Sequence, residues 1–231
     1  MIPLRDQNPS RSTPVVTRGL IVLNAAVFLY ELSLGAALRD FMFTWGVIPA
    51  RLPAALQAGG EPLGWTAFTL VSSMFLHGGW MHLVGNLWYL WIFGDNVEDR
   101  LGSVLFLFFY LAAGVAAALL HALSHIDSRV PTLGASGAIA GVLGAYAVMY
   151  PGARVVTLVP LFPFFQVIPL PAILLLGLWF VFQFVAGALT LGQAGGGVAW
   201  WAHIGGFLFG VVVARLIGRP RRPPDSHAEV V

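Results

Sequence analysis

Six stretches of this chain are apolar for close to the roughly 20 residues that a bilayer's hydrocarbon core demands of a helix, and no other feature limits the fold so tightly. They cover residues 18–34, 70–93 (firm from 81 onward), 103–123, 136–150, 168–191 and 198–216. Lipid offers no partner for backbone N–H and C=O groups, so spanning segments of this length fold as helices. With 58% hydrophobic and 10% charged residues over 231 positions, the chain lacks the polar surface a soluble domain needs. The expected class is an all-α polytopic membrane protein, a six-helix bundle with a short central fourth helix.

The fourth stretch opens directly from the loop at 130–134. So short a helix leaves irregular backbone at membrane depth, which is tolerated only where it is buried in protein or faces water. A central helix beneath a wet cavity is the expectation. Residues 1–17 are polar, with Pro3, Pro9 and Pro14, and read as a cytoplasmic N-terminal segment. The apolar run after them is too long for a signal-peptide core and reads as a retained helix. Residues 18–216 form the membrane domain, and 217–231, with Arg219, Arg221, Arg222 and three prolines, read as a disordered basic tail near anionic lipid.

All twelve basic residues are arginine. If the N-terminus is cytoplasmic, the inner segments hold Arg5, Arg11, Arg18, Arg100, Arg154, Arg215, Arg219, Arg221 and Arg222, against Arg39, Arg51 and Arg129 outside. That bias sets the orientation, with both termini inside. The second, fourth and sixth helices then run in the same direction, and His82, Asn86, Ser136 and His203 near their starts share one depth. The long outer loop before the second helix carries Phe41, Phe43, Trp45, Ile48, Leu52 and Trp65. It is either an interfacial amphipathic segment or a packed extracytoplasmic loop.

A serine hydroxyl is a weak nucleophile until a base accepts its proton, and histidine is the usual base. Ser136 and His203 are the pair matched in depth. Gly137, Gly141 and Gly144 on the fourth segment, and Ala202, Gly206 and Gly210 on the sixth, are small residues at helical spacing that let two backbones approach closely in lipid. His82 and Asn86, four apart, project from one face of the second helix as donors to an oxyanion, with the Ser136 backbone N–H as a third. No carboxylate is expected at that depth, so the active unit reads as a dyad. His77 reads as structural. The absence of cysteine excludes thiolate catalysis and zinc–thiolate sites. No cofactor, metal or nucleic-acid partner is expected, and the expected contacts are membrane lipid and transmembrane protein substrates.

Gly134-Ala-Ser136-Gly137 is not the nucleophile elbow of soluble hydrolases, since residue 138 is alanine and no strand precedes it. Together with His82-Leu-Val-Gly-Asn86, Ala202-His203-Ile-Gly-Gly206 followed by Gly210, and Gly94-xxx-Glu98-xxx-Gly102, the pattern resembles the rhomboid intramembrane serine proteases. The resemblance runs from about Arg18 to Leu216, in the six-helix form typical of bacteria. It implies hydrolysis of peptide bonds in or beside transmembrane segments, with Ser136 as nucleophile, His203 as base and then acid, and Asn86, His82 and the Ser136 N–H as the oxyanion hole. Gly134, Gly137, Gly206 and Gly210 would be structural residues beside the site. It also places the protein in the cell membrane with the site opening to the extracytoplasmic side. Some members carry an aromatic residue four positions after the serine, stacked on the histidine. Here that position is Ala140, and Trp200 or Trp201 is the candidate substitute. Trp179, Phe180, Phe182 and Phe184 resemble a lateral gate or, equally, lipid-facing bulk. The rival readings are a catalytically inactive rhomboid-like protein that binds membrane clients and, more distantly, a transporter.

Overall fold

The computed structural model describes residues 1–161, 163–190 and 197–217. The described elements, in order, are β1 (Ile2–Asp6), α1 (Val15–Ser33), α2 (Leu38–Trp45), α3 (Arg51–Ala54), α4 (Leu63–Ser72), α5 (Trp80–Leu101), α6 (Ser103–Ser124), α7 (Ser136–Met149), β2 (Arg154–Leu161), β3 (Phe164–Pro171), α8 (Ala172–Leu189) and α9 (Trp200–Ile217). The basic tail expected beyond Ile217 and the end of the fifth segment at Leu191 lie outside the described residues.

The polytopic helical class holds. Among the described residues, α1, α6, α8 and α9 are each long and apolar enough to cross a membrane. Helix α5 is as long as α6, at 22 residues, but its last turns carry Asp95, Glu98, Asp99 and Arg100. Helix α7 has 14 residues, about 21 Å at 1.5 Å per residue against a core of about 30 Å. It is the central element: all of its residues except Ser136 and Val148 are buried. The outward faces of the surrounding helices are apolar and exposed, as at Val104, Phe108 and Leu123 of α6 and Phe182 and Leu189 of α8. Lipid is the solvent that such faces fit.

Helix α7 packs most closely against α9, and glycine sets the distance. A Cβ added at Gly206 would fall onto the carbonyl oxygen of Gly137, one at Gly210 onto that of Gly141, and one at Gly144 onto that of Phe207. On the other side of α7, a Cβ at Gly137 or Gly141 would run into Ala117 or Ala113 of α6. The backbones themselves are therefore in contact, as the small-residue spacing predicts.

The segment at 70–93 divides. Residues 70–72 finish α4, a 3₁₀ turn follows at Ser73–Phe75, and the spanning helix starts at Trp80 after Gly79, whose φ of 156° breaks the chain direction. The segment at 168–191 is also shortened at its start. Residues 168–171 belong to β3, and Pro169 and Pro171 keep α8 from beginning before Ala172.

A three-stranded antiparallel sheet in the order β1-β2-β3 lies across one end of the bundle, an addition to the expected helices. It draws the N-terminal segment into the fold: Ile2 pairs with Leu158 and Asp6 with Val155, Trp88 Nε1 donates to the Pro3 carbonyl at 2.7 Å, and Tyr146 donates to Asp6 at 2.7 Å. Burial lifts the Asp6 carboxyl to about 6, the Tyr146 bond working against it. Glu98 ties the same region together. Its carboxylate accepts the N–H groups of Val16 and Thr17 at 2.9 and 2.8 Å and the Ser103 hydroxyl at 2.6 Å. It thus caps α1 from another helix, where Pro14 offers no capping side chain. Gly94 lets Thr17 approach, and Gly102, at φ 77°, turns the chain from α5 into α6.

Candidate active site

The loop before α7 is held in place by backbone bonds. Val47 and Thr132 exchange N–H···O bonds at 3.2 and 2.7 Å, and Gly134 donates to the Ser73 carbonyl at 2.9 Å. The loop between α1 and α4 thereby anchors the strand-like approach to Ser136. That loop is built as short helices around an edge-on aromatic group, Tyr30, Phe41, Trp45, Trp65 and Phe68. Gly134 has φ 115°, and a Cβ there would sit 2.5 Å from His82 Nε2 and 3.6 Å from Asn86 Nδ2. Only glycine fits. Its bare Cα lets the start of α7 lie directly against the donor face of α5.

Ser136 opens α7, so its N–H is among the first four of the helix and has no intrahelical partner. Its Oγ lies 2.8 Å from His203 Nε2. The residues that the sequence placed at one depth thus meet, on α5, α7 and α9, along one cavity of about 730 Å³ lined by His82, Asn86, Ser136 and His203. Asn86 is buried, and its Nδ2 has no hydrogen-bond partner among the described residues. His82 Nδ1 accepts the Gly78 N–H at a long 3.4 Å, which leaves the proton on Nε2, the nitrogen facing Gly134. Two neutral donors and the start of a helix therefore converge beside the Ser136 hydroxyl. That is the arrangement a developing oxyanion requires.

Two features revise the sequence reading. The first concerns the ring of His203. Trp200 meets it edge-on at 6.3 Å, as expected of one candidate, but Trp201 packs on Phe184 instead. Trp179, read as a gate or lipid-facing residue, lies over the ring at 5.8 Å with a 33° tilt. The missed residue is Gln183 on α8, buried, whose Oε1 lies 2.6 Å from His203 Nδ1. The signal was available: Gln183 is a lone polar side chain in an apolar spanning helix, which is a functional-site hypothesis by default.

The second is a carboxylate at the C-terminal end of α1. Glu31 is buried, and it accepts the His77 backbone N–H at 3.2 and 3.3 Å. The expectation that no carboxylate lies in a span at this depth is therefore wrong. Its spacing from Asn24 and Thr17, seven residues apart each, puts all three on the buried stripe of α1. Glu31 holds the turn into α5 and is bonded to His77 rather than to His203. The ring of His77 packs edge-on against His82 at 5.2 Å, and burial together with that neighbour lowers it to about 4. Among the described residues, no group of three or more His, Cys, Asp or Glu side chains is placed to hold a metal.

The family model for the rhomboid domain matches residues 64–220, more than half of the chain. Among curated proteins the chain is similar to the mitochondrial rhomboid protein 1 of Saccharomyces cerevisiae, 30% identical over 160 residues, 65% of this chain and 42% of the yeast protein. It is 36% identical over 133 residues to the rhomboid protease GluP of Bacillus subtilis, 57% of this chain and 24% of that protein. The presenilin-associated rhomboid-like protein A, mitochondrial, of Danio rerio is 35% identical over 161 residues, 67% of this chain and 39% of its own length. The chain thus spans less than half the length of each of these relatives.

Proposed function

This chain belongs to the rhomboid family, and we propose that it is an intramembrane serine endopeptidase that cuts peptide bonds in or beside transmembrane segments of other membrane proteins. The observation that carries the reading is the 2.8 Å contact between Ser136 Oγ and His203 Nε2 beside the unpartnered Asn86 amide. A buried amide donor without a partner costs on the order of 1–3 kcal/mol. Such a cost is characteristic of a group held ready for a transition state.

In the proposed reaction His203 Nε2 takes the Ser136 proton as Oγ attacks the scissile carbonyl carbon. The carbonyl oxygen becomes an oxyanion that accepts from the Ser136 N–H, Asn86 Nδ2 and His82 Nε2. The imidazolium then gives its proton to the departing amine, leaving an acyl ester on Ser136. A water admitted through the cavity attacks that ester, giving its proton to His203, and the hydroxyl of Ser136 is restored on release of the acid. The similarity to a relative named as a protease supports the reading. A serine-reactive phosphonate provides the direct test. It should form one adduct per chain, found by mass spectrometry on the peptide bearing Ser136, and adducts elsewhere or none would reject the proposal in favour of a client-binding rhomboid-like protein.

The proposal includes orientation in the cell membrane, with the N-terminus inside and the site opening outward, on the arginine asymmetry. The chain has no cysteine, so single cysteines report cleanly. A membrane-impermeant maleimide should label Asp127→Cys in intact spheroplasts and Gly152→Cys only after lysis. The reverse pattern would overturn the orientation.

A further inference from the structure

We infer that Gln183 is a positioning residue, which from α8 holds His203 in the one tautomer able to accept the Ser136 proton. The inference rests on the proposed serine-protease chemistry and assigns to an amide the part that a buried aspartate plays in soluble serine hydrolases.

A neutral imidazole carries one N–H. For Nε2 to accept the hydroxyl proton it must be bare, so the proton resides on Nδ1 and needs an acceptor there. The groups around the ring narrow the choice. Trp179 and Trp200 present ring faces and edges, and an indole has only a donor. Ser136 occupies the Nε2 side. Glu31 is engaged by the His77 N–H. The remaining contact is Gln183 Oε1, 2.6 Å from Nδ1. Gln183 is 5% exposed, and in the sequence of α8, AILLLGLWFVFQFVAGAL, its side chain is the one with a hydrogen-bond acceptor oxygen. A buried amide in a spanning helix is unfavourable unless bonded. Here the bond goes to the base.

The amide is two-faced, and that makes the inference sharp. Oε1 toward Nδ1 leaves Nε2 bare. The opposite amide orientation would offer a donor to Nδ1, drive the proton to Nε2 and switch the base off. Gln183 also differs from aspartate in carrying no charge. It sets the tautomer and the ring plane without an ion pair to stabilise the imidazolium. A carboxylate at this position would do both.

The test uses the full-length protein in detergent with two variants, Gln183→Leu, which removes the acceptor, and Gln183→Glu, which has acceptors alone. The first readout is independent of activity. Nitrogen NMR of the histidine rings, with His203 identified by the loss of its signals in His203→Asn, should find Nδ1–H in the wild type and a mixed population in Gln183→Leu. A wild-type ring protonated on Nε2, or an unchanged tautomer in Gln183→Leu, would overturn the inference whether or not the chain is a protease.

The second readout is the rate of phosphonate labelling at Ser136 and the kinetics of a transmembrane substrate. Gln183→Leu should lose about 10–100-fold in kcat and labelling rate, the effect of one buried hydrogen bond, with KM within about twofold. Gln183→Glu should restore most of the rate, and its acidic limb should move up by about one pH unit because a carboxylate favours the imidazolium. His82 of α5 and His121 of α6 line the same cavity and are common to both proteins, so the shift is read against a constant background. Labelling of Gln183→Leu within twofold of wild type, or a Gln183→Glu profile identical to wild type, would overturn it as well. Absence of labelling in a wild type that keeps Nδ1–H would instead sink the protease reading and leave the tautomer assignment standing.

Discussion

Alanine at Ser136 or at His203 is expected to remove all detectable cleavage of a model transmembrane substrate in detergent, with the fold retained. The loss is of the whole nucleophilic route and can reach about 10⁶-fold in kcat where such residues act as a unit. For the same reason the double variant should be no worse than either single one. Neither substitution strips a hydrogen bond from the backbone: Ser136→Ala should leave unfolding curves close to wild type, whereas His203→Ala leaves the buried Gln183 oxygen without its partner and should lower stability modestly. Acidic residues supply the contrast. Neither Asp127 nor Glu61 lines the cavity, and Asp127→Asn and Glu61→Gln should keep most activity. Glu31→Gln should as well, because a glutamine oxygen can still accept the His77 N–H that Glu31 now takes. Substantial cleavage by purified Ser136→Ala would end the serine-protease proposal, and loss of activity in Glu31→Gln with an intact fold would bring that carboxylate into the reaction.

Asn86→Ala separates transition-state stabilisation from binding. Its Nδ2 is buried with no partner among the described residues, so deleting it orphans none of them and removes an unsatisfied donor. Stability should therefore be unchanged or slightly raised, apart from the small cavity created. Catalysis should fall by about 10²–10³ in kcat with little change in KM, since the donor matters most when charge develops on the carbonyl oxygen. Residual activity survives through His82 and the Ser136 N–H. Phosphonate labelling should slow in parallel, because the phosphoryl oxygen occupies the same hole. If Asn86→Ala raised KM alone, the side chain would be a substrate contact. If it lowered the melting temperature with normal activity per folded molecule, the amide would be a packing group.

What could be read from the residues alone follows from which signals are local. Helix positions came from runs of apolar residues. The meeting of His82, Asn86, Ser136 and His203 followed from helix direction, because parallel spans put equivalent positions at one depth. The backbone contact of α7 with α9 was visible as glycine and alanine spacing. The sheet was not legible. Its first strand is five residues with a proline, IPLRD, and its third lies in what reads as the start of a spanning segment. The first strand pairs with the second across about 150 positions, a long-range event with no local mark, while the second and third form a hairpin whose far strand runs into the apolar segment. Gln183 was hidden differently. Flanked by Phe182 and Phe184, it sits in a run whose bulk draws the eye to lipid, and only the packing of α8 against α9 reveals that it reaches the histidine.

The contact between α7 and α9 separates what can drift from what cannot. Nucleophile and base sit on two helices whose mutual position is set by main chain against main chain, at Gly137, Gly141, Gly206 and Gly210. No side-chain rotamer enters that distance. Much of the cavity wall comes from side chains on other elements, such as Met81, Tyr89, His125 and Val130. Under the proposed activity, lineages carrying this frame are free to vary those positions, and with them substrate preference, without disturbing the Ser136–His203 pair. Natural variation in preference should then accumulate on the wall, while the four glycines stay under the strictest constraint in the molecule.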